Sequence, residues 1–305
     1  MQIGMIGLGK MGANMTERLV RSGHEVVGFD LSPKAVADVM EFGAGGAGSL
    51  EDLAGQLSTP RIIWMMVPHG APVDSTIAAL RPLLEPDDII IDGGNSYFKE
   101  TKRRAAECAA AGQHYVDVGT SGGVWGLTEG YSMMVGGEER VVETLRPIFE
   151  SLAPSPTTGW GRVGPSGSGH YVKMIHNGIE YGLMQAYAEG FAILNAKKEF
   201  ALDLSQIGHI WQDGSVVRSW LLDLTTAALE ENPQLEGIAP YVPDSGEGRW
   251  TVFEAIDLNI AAPVISLSLM GRIESRDEIE FADRLLASMR KGFGGHAITT
   301  EDPQL

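Results

Sequence analysis

QIGMIGLGKMG, Gln2–Gly12, decides the fold. Ile3, Met5 and Ile6 form a short apolar strand, and Gly7, Gly9 and Gly12 then supply a GxGxxG turn into a helix expected over 11–22. Glycine permits the tight turn, close approach of the backbone to a pyrophosphate, and close packing of helix on strand. The helix N-terminus offers free N–H groups and a positive dipole end to the phosphates. The next strand, EVVGFD (25–30), ends in Asp30, 23 residues after Gly7. That is the place for a carboxylate accepting the ribose hydroxyls. Its alternative use, as a cap of the following helix, fits less well, because Ser32 precedes Pro33 there and is the better cap. The expected cofactor-binding set is Gly7, Leu8, Gly9, Lys10, Met11, Gly12 and Asp30, with Val67 and Asn95 added from the ends of later strands.

Outward from this unit, RIIWMMVP (61–68) and DIIIDGGN (88–95) are near-continuous apolar runs ending in turn residues. Strands covered on both faces read this way. HYVDVGTSGG (114–123) and YSMMVGG (131–137) read as further strands. Helical patterns lie over 71–84, 97–111 and 138–152. Alternating strands and helices predict an open, mostly parallel sheet of Rossmann type, with its ligand beyond the carboxyl ends of the strands. Those ends are Val67–Gly70, Gly93–Ser96 and Thr120–Gly123. After the linker-like GPSGSG (164–169), every strong segment reads as helix: 204–211, 215–230, 250–258, 263–273 and 279–290. The expected fold is an α/β dinucleotide-binding domain over 1–163, followed by an all-helical substrate and oligomerisation domain over 164–305.

The chain has 305 residues, enough for two such domains, and its 44% hydrophobic content suffices for packed cores. A formal charge of −17 argues against a nucleic-acid partner, which needs a basic surface. The single cysteine, Cys108, can form no disulfide within the chain and suits a reducing, cytoplasmic setting. No metal-ligand spacing of Cys and His occurs, so no metal is expected. The N-terminus runs directly into a strand with no signal peptide, and no apolar run is long enough for a membrane span.

A second stretch carries chemistry: GSGHYVKMIHNGIEY, Gly167–Tyr181. Residues three, four and seven apart share a helix face. Lys173, His176 or Asn177, and Glu180 therefore form a polar stripe about 10 Å long. Val172, Met174, Ile175 and Ile179 are expected to bury the other faces. A solvated Lys–Glu face is the alternative. The apolar run beyond Glu180 (Leu183, Met184, Phe191, Ile193, Leu194) argues instead for a central helix, whose charges need partners or a cavity.

GLGKMG (7–12), DGGNS (92–96), GTSGG (119–123), KMIHNGIEY (173–181) and RKGFGGH (290–296), in this order, resemble the 6-phosphogluconate dehydrogenase family. The likeness covers nearly the whole chain and is to the family's short bacterial form. It implies oxidative decarboxylation of a β-hydroxy sugar acid, 6-phosphogluconate, to ribulose 5-phosphate and CO2. Lys173 would be the base that takes the hydroxyl proton, which requires a depressed pKa. Glu180 would be the acid that protonates the enediol carbon. His176 and Asn177 would hold hydroxyls and nicotinamide; for His176 a satisfied core histidine is the plainer alternative.

Asn95, Ser121, Gly122 and Gly123 would bind the carboxylate and hydroxyls, the glycines otherwise being ordinary turn residues. Tyr181, Arg276, Arg290 and His296 would take the phosphate, with Arg249 and Arg272 competing for the role of Arg276. Two other readings stand beside this one: a β-hydroxyacid dehydrogenase without decarboxylation, and a non-catalytic dinucleotide sensor. NADP-using members carry Asn-Arg-Thr after the second strand, whereas this chain has Asp30–Leu31–Ser32. NAD is the expected cofactor, with NADP a weaker alternative. The resemblance also implies a homo-oligomer, dimer or tetramer, whose C-terminal tails exchange between subunits.

Overall fold

In the computed structural model the described residues are 1–276 and 281–294. The chain divides into two compact units: Met1–Glu180 with Gly246–Ile260, and Tyr181–Ser245 with the chain from Ala261.

The first unit is a sheet with helices on both faces. In chain order it contains β1 (Gln2–Ile6), α1 (Lys10–Arg21), β2 (Glu25–Phe29), α2 (Pro33–Met40), β3 (Gly45–Gly46), α3 (Leu50–Gln56), β4 (Ile62–Met65), α4 (Ala71–Leu80), β5 (Ile89–Asp92), α5 (Phe98–Ala110), β6 (His114–Ser121), α6 (Gly126–Glu129), β7 (Ser132–Gly136), α7 (Glu139–Thr144), α8 (Arg146–Leu152) and β8 (Trp160–Gly164). The strand order is β3-β2-β1-β4-β5-β6-β7-β8. Neighbours are parallel except β6 and β7, which a short connection makes antiparallel. Alternate residues of each strand face opposite layers. Ile3, Met5, Trp64, Ile89 and Ile91 pack with Met15, Leu19 and Phe149, whereas Ile6, Ile63, Met65 and Ile90 pack with Leu53, Val73, Ile77 and Cys108. Cover on both faces is why these strands read as unbroken apolar runs. The strand order turns back on itself between β1 and β4, the crevice in which such sheets bind ligands.

The long α9 (Ser168–Ala196) begins in the first unit and ends in the second. The remaining helices are α10 (Leu204–Gln212), α11 (Trp220–Glu231), α12 (Glu247–Asp257), α13 (Pro263–Glu274) and α14 (Phe281–Gly294). Of these, α12 belongs to the first unit. In the second, Phe191, Leu222 and Leu229 form a small buried core with Tyr187, Leu194, Leu204 and Trp211 around it. Among the described residues no helix is long and apolar enough to cross a membrane.

Several local expectations are corrected. The helix expected over 138–152 is two helices broken at Leu145, because Pro147 has no N–H to continue the ladder. The one expected over 215–230 starts at Trp220, where the Ser219 side chain accepts the N–H of Leu222. β3, α3 and β8 were not legible: β3 is two glycines, and β8 is WGRVG, with little apolar pattern to read. Val172 and Ile179, expected to bury their faces, are exposed, Ile179 at 52%. Ile193, also expected inside, is 72% exposed. A helix of 29 residues runs roughly 44 Å.

Candidate functional site

The glycine turn between β1 and α1 is shaped by contact. A Cβ on Gly7, whose φ is +88°, would fall 2.5 Å from the Met66 carbonyl oxygen, and one on Gly12 would fall 1.9 Å from the Gly7 oxygen. Only glycine tolerates both. At Gly9 nothing lies within 4 Å of the same position, so the turn opens onto free space at the N-terminus of α1. No side chain caps that helix, which leaves its N–H groups for an anion. Asp30 locks the turn from β2: Leu8 N–H donates to its Oδ2 at 2.7 Å and Ser32 N–H to its Oδ1 at 2.8 Å. Its remaining lone pairs are free to accept ribose hydroxyls. Leu8 is buried, Lys10 is exposed and Met11 half-buried along the rim. The residues present therefore fit a nicotinamide dinucleotide.

Val67 borders this turn and the next one. Its side chain lies against Gly7 and its carbonyl oxygen against Gly94. The DGGNS turn is held by Asp92, a buried carboxylate that accepts Ser96 Oγ–H at 2.7 Å, Tyr115 Oη–H at 2.8 Å and Gly94 N–H at 3.2 Å. Those bonds leave Asn95 exposed at the tip. In the third turn Ser121 and Gly122 are half-buried and Gly123 exposed, with φ of +137° at Gly122 and +51° at Gly123.

Lys173 stands on α9 above β6, where a Cβ on Gly119 would fall 2.4 Å from its Cβ. It is 7% exposed. Burial lowers its pKa, while the charges of Glu180 and Glu247 oppose that shift. On the same helix His176 Nδ1 lies 3.1 Å from Asn177 Oδ1 and 3.8 Å from a Glu180 carboxylate oxygen. Both His176 and Glu180 are about 40% exposed at the side chain. Lys173, His176, Asn177 and Glu180 thus share one region, with only the lysine deeply buried.

Sequence reasoning placed a helix over 250–258 but gave it no part in the site; it is α12, and it starts at Glu247. Glu247, buried in its first turn, acts on Lys173 from a distant part of the chain. Thr251, one turn on, donates its hydroxyl to the Met174 carbonyl at 2.8 Å. Trp250 packs edge-on to His69 at 5.3 Å and tilted against Tyr97 at 5.0 Å, on the segments that follow β4 and β5. An acid directly before an apolar helix was the available signal.

In the second unit Arg272 stacks on the Tyr181 ring at 3.6 Å, and Arg276 pairs with Asp244 at 2.7 Å. Arg249 is half-buried, and Arg290 is exposed on α14. His296 lies outside the described residues. Among the described residues no group of three or more His, Cys, Asp or Glu side chains could hold a metal ion.

Comparison with known proteins adds the lineage. Residues 2–161 match the family model for the NAD binding domain of 6-phosphogluconate dehydrogenase, and residues 169–301 match that for its C-terminal domain. A Haloferax volcanii protein named NAD(+)-dependent, decarboxylating 6-phosphogluconate dehydrogenase is 46% identical over 303 residues, covering 99% of this chain and 100% of that one. An NADP(+)-dependent namesake from Bacillus subtilis is 38% identical over 90% of this chain, which spans 61% of its length. The solved Plasmodium falciparum 6-phosphogluconate dehydrogenase superposes with a TM-score of 0.82 at 28% identity, covering 99% of this chain and 67% of that one. The two family models together account for nearly every residue, and the chain belongs to the 6-phosphogluconate dehydrogenase family.

Proposed function

We propose that the protein oxidatively decarboxylates 6-phosphogluconate to ribulose 5-phosphate and CO2, with NAD preferred over NADP. The observation that carries this reading is Lys173, packed against Gly119 of β6 and made easier to deprotonate by burial, seven residues before Glu180 on the same helix. Neutral Lys173 takes the proton of the substrate hydroxyl. NAD, when bound, accepts the hydride from the carbon that bears it. The Lys173 ammonium then donates to the new ketone oxygen and stabilises the enolate left when the carboxylate departs as CO2. Glu180 protonates the enediol carbon and completes the ketose. Asn95 and the Ser121–Gly123 turn hold the carboxylate and hydroxyls. His176 and Asn177 hold hydroxyls and nicotinamide. Tyr181, with Arg276, Arg290 and His296, takes the phosphate; the stacking of Arg272 on Tyr181 gives that arginine an equal claim with Arg276.

Residues 1–163 serve the dinucleotide and 164–305 the substrate and the subunit contacts, a division supported by the end of the last strand at Gly164. A homo-oligomer is supported by Ile193, Val264 and Leu267, large apolar side chains left exposed in the second unit. NAD preference is supported by Asp30, whose charge repels a 2′-phosphate, and by the name of the Haloferax relative. The test follows reduced-cofactor formation and CO2 release together on 6-phosphogluconate. Both signals in equal amounts are expected. Hydride transfer without CO2 would favour a plain β-hydroxyacid dehydrogenase, and cofactor binding with neither signal would favour a sensor.

A further inference from the structure

Lys173 can act only if its amine is held at one height above the sheet, which depends on how α9 sits on β6. The first turn of α9 is held from β6. Asp117 is wholly buried in that strand; its Oδ1 accepts Gly167 N–H at 2.6 Å and its Oδ2 accepts His170 N–H at 2.9 Å. Both N–H groups belong to the free donors at a helix start. The carboxylate also places negative charge at the positive end of the helix dipole. Two residues further along the same face of β6, Gly119 meets the Cβ of Lys173. Helix and strand touch at backbone distance here: a Cβ on Gly169 would fall 2.4 Å from the Met134 oxygen and 2.6 Å from the Asp117 oxygen. His170 to Lys173 on the helix therefore runs in register with Asp117 to Gly119 on the strand.

We propose that Asp117 is a positioning residue for Lys173, clamping the first turn of α9 so that the amine stands at a fixed height over Gly119. The proposal rests on the reading of Lys173 as the base. A clamp lost at one end lets the helix shift along the sheet, and a displacement near 1 Å at a reacting group costs up to about a hundredfold in rate. Asp117→Asn keeps the shape, yet its amide can accept only one of the two N–H groups and carries no charge.

The experiment measures Asp117→Asn for kcat, KM, NAD dissociation constant and the isotope effect with substrate deuterated at the carbon that gives up hydride. Values are referred to folded protein. We expect kcat to fall about tenfold or more and the isotope effect to rise, with NAD affinity within about twofold of the parent. Gly119→Ala is the second variant, for the case that Asp117→Asn does not fold. It keeps the Asp117 carboxylate but pushes on Lys173 and on the Gly169 oxygen within the clamped turn, and should give the same signature. Unchanged kcat and isotope effect beside a lower Tm would make Asp117 a cap for stability only and overturn the proposal. Loss of NAD affinity in step with kcat would also overturn it, because the effect would then run through the cofactor turn. Lys173→Met is measured alongside. If that variant is inactive while Asp117→Asn is normal, only the positioning role fails; if it is active, the base assignment itself fails.

Discussion

Thr251 donates its hydroxyl to the carbonyl of Met174, which fastens α12 to α9 one residue from Lys173. The same proton is shared with the Glu247 carbonyl, also 2.8 Å away. The fastening depends on a small neighbour: a Cβ on Gly178 would fall 2.6 Å from Thr251 Cγ2. Gly178→Ala must push α12 away, and with it Glu247. We expect a stability loss of about 1–3 kcal/mol by denaturant titration, as for other overpacked sites, and a fall in kcat larger than any change in NAD affinity. A variant with unchanged stability and rate would show that the two helices are not held this way.

Lys173 carries a prediction of sign. Burial lowers its pKa, and Glu180 on its own helix and Glu247 from α12 raise it. Only the neutral amine is a base, so kcat/KM should fall as pH drops through a value below 10.5, the ordinary lysine pKa. Glu247→Gln removes one of the two opposing charges, and its acid limb should move to lower pH. A limb that stays in place, or moves upward, would remove Glu247 from the electrostatics of the site. Lys173→Met should abolish turnover with NAD binding nearly intact, whereas Glu180→Gln should slow protonation of the enediol more than hydride transfer.

What the sequence revealed depended on how local the determinant is. The cofactor turn was legible because its contacts are backbone contacts, and a clash such as that of Gly12 with the Gly7 oxygen writes itself as glycine. Lys173 and Glu180 were legible because seven residues on one helix bring them to one face. Glu247 was not, since it reaches Lys173 from more than 70 residues away and spacing says nothing across that distance. Asp117 left a weaker trace, as a lone acid inside an otherwise apolar strand, HYVDVGTS. The exposure of Ile179 and Ile193 was missed because apolar periodicity identifies a face that seeks cover, not whether one chain supplies it.

Cofactor choice should follow Asp30. Leu31 and Ser32 offer no cation after it, and the nearest one, Lys34, is paired with Asp38 at 2.6 Å. A 2′-phosphate would meet the carboxylate uncompensated. The ratio of kcat/KM for NAD over NADP should exceed one and shrink in Asp30→Asn, where the repulsion is gone but an oxygen remains to accept Leu8 N–H. A parent enzyme that favours NADP would end this account.

Acid should loosen the crevice through Asp74. Hydrogen bonding to the buried Arg104, and then to Arg103, lowers its pKa from 3.8 to about 2. A depressed carboxylate pKa contributes stability that is complete above the unfolded value and lost as pH falls through the folded one. The loss attached to Asp74 should therefore appear between about pH 4 and pH 2. Because Asp74 is 42% exposed, solvent screens the pair and the contribution is about 1 kcal/mol. Asp74→Asn should show that loss already at neutral pH and a flatter stability profile below pH 4, read by thermal melts across the range. Arg104 also donates to the Gly70 carbonyl, so the same variant should weaken the Val67–Gly70 end of the crevice.

The C-terminal segment carries the last prediction. α14 presents Phe281, Leu285, Leu286 and Met289 to solvent, an apolar stripe at helical spacing with Arg290 directly after it. A stripe of this kind gains by packing against another surface, and an arginine fork can bind phosphate through two hydrogen bonds. Together with the resemblance of RKGFGGH to the family's tail, this supports a segment that completes the neighbouring subunit's phosphate site. Deleting residues 290–305 should raise KM for the phosphorylated substrate steeply and weaken the oligomer. The sharper measurement mixes two inactive variants, Lys173→Met and Arg290→Ala, under conditions that allow subunits to exchange. In a shared site some hybrids receive an intact lysine from one chain and an intact tail from the other, so activity returns. Exchange demonstrated by mass or fluorescence without recovered turnover would place the tail in its own subunit or outside the site.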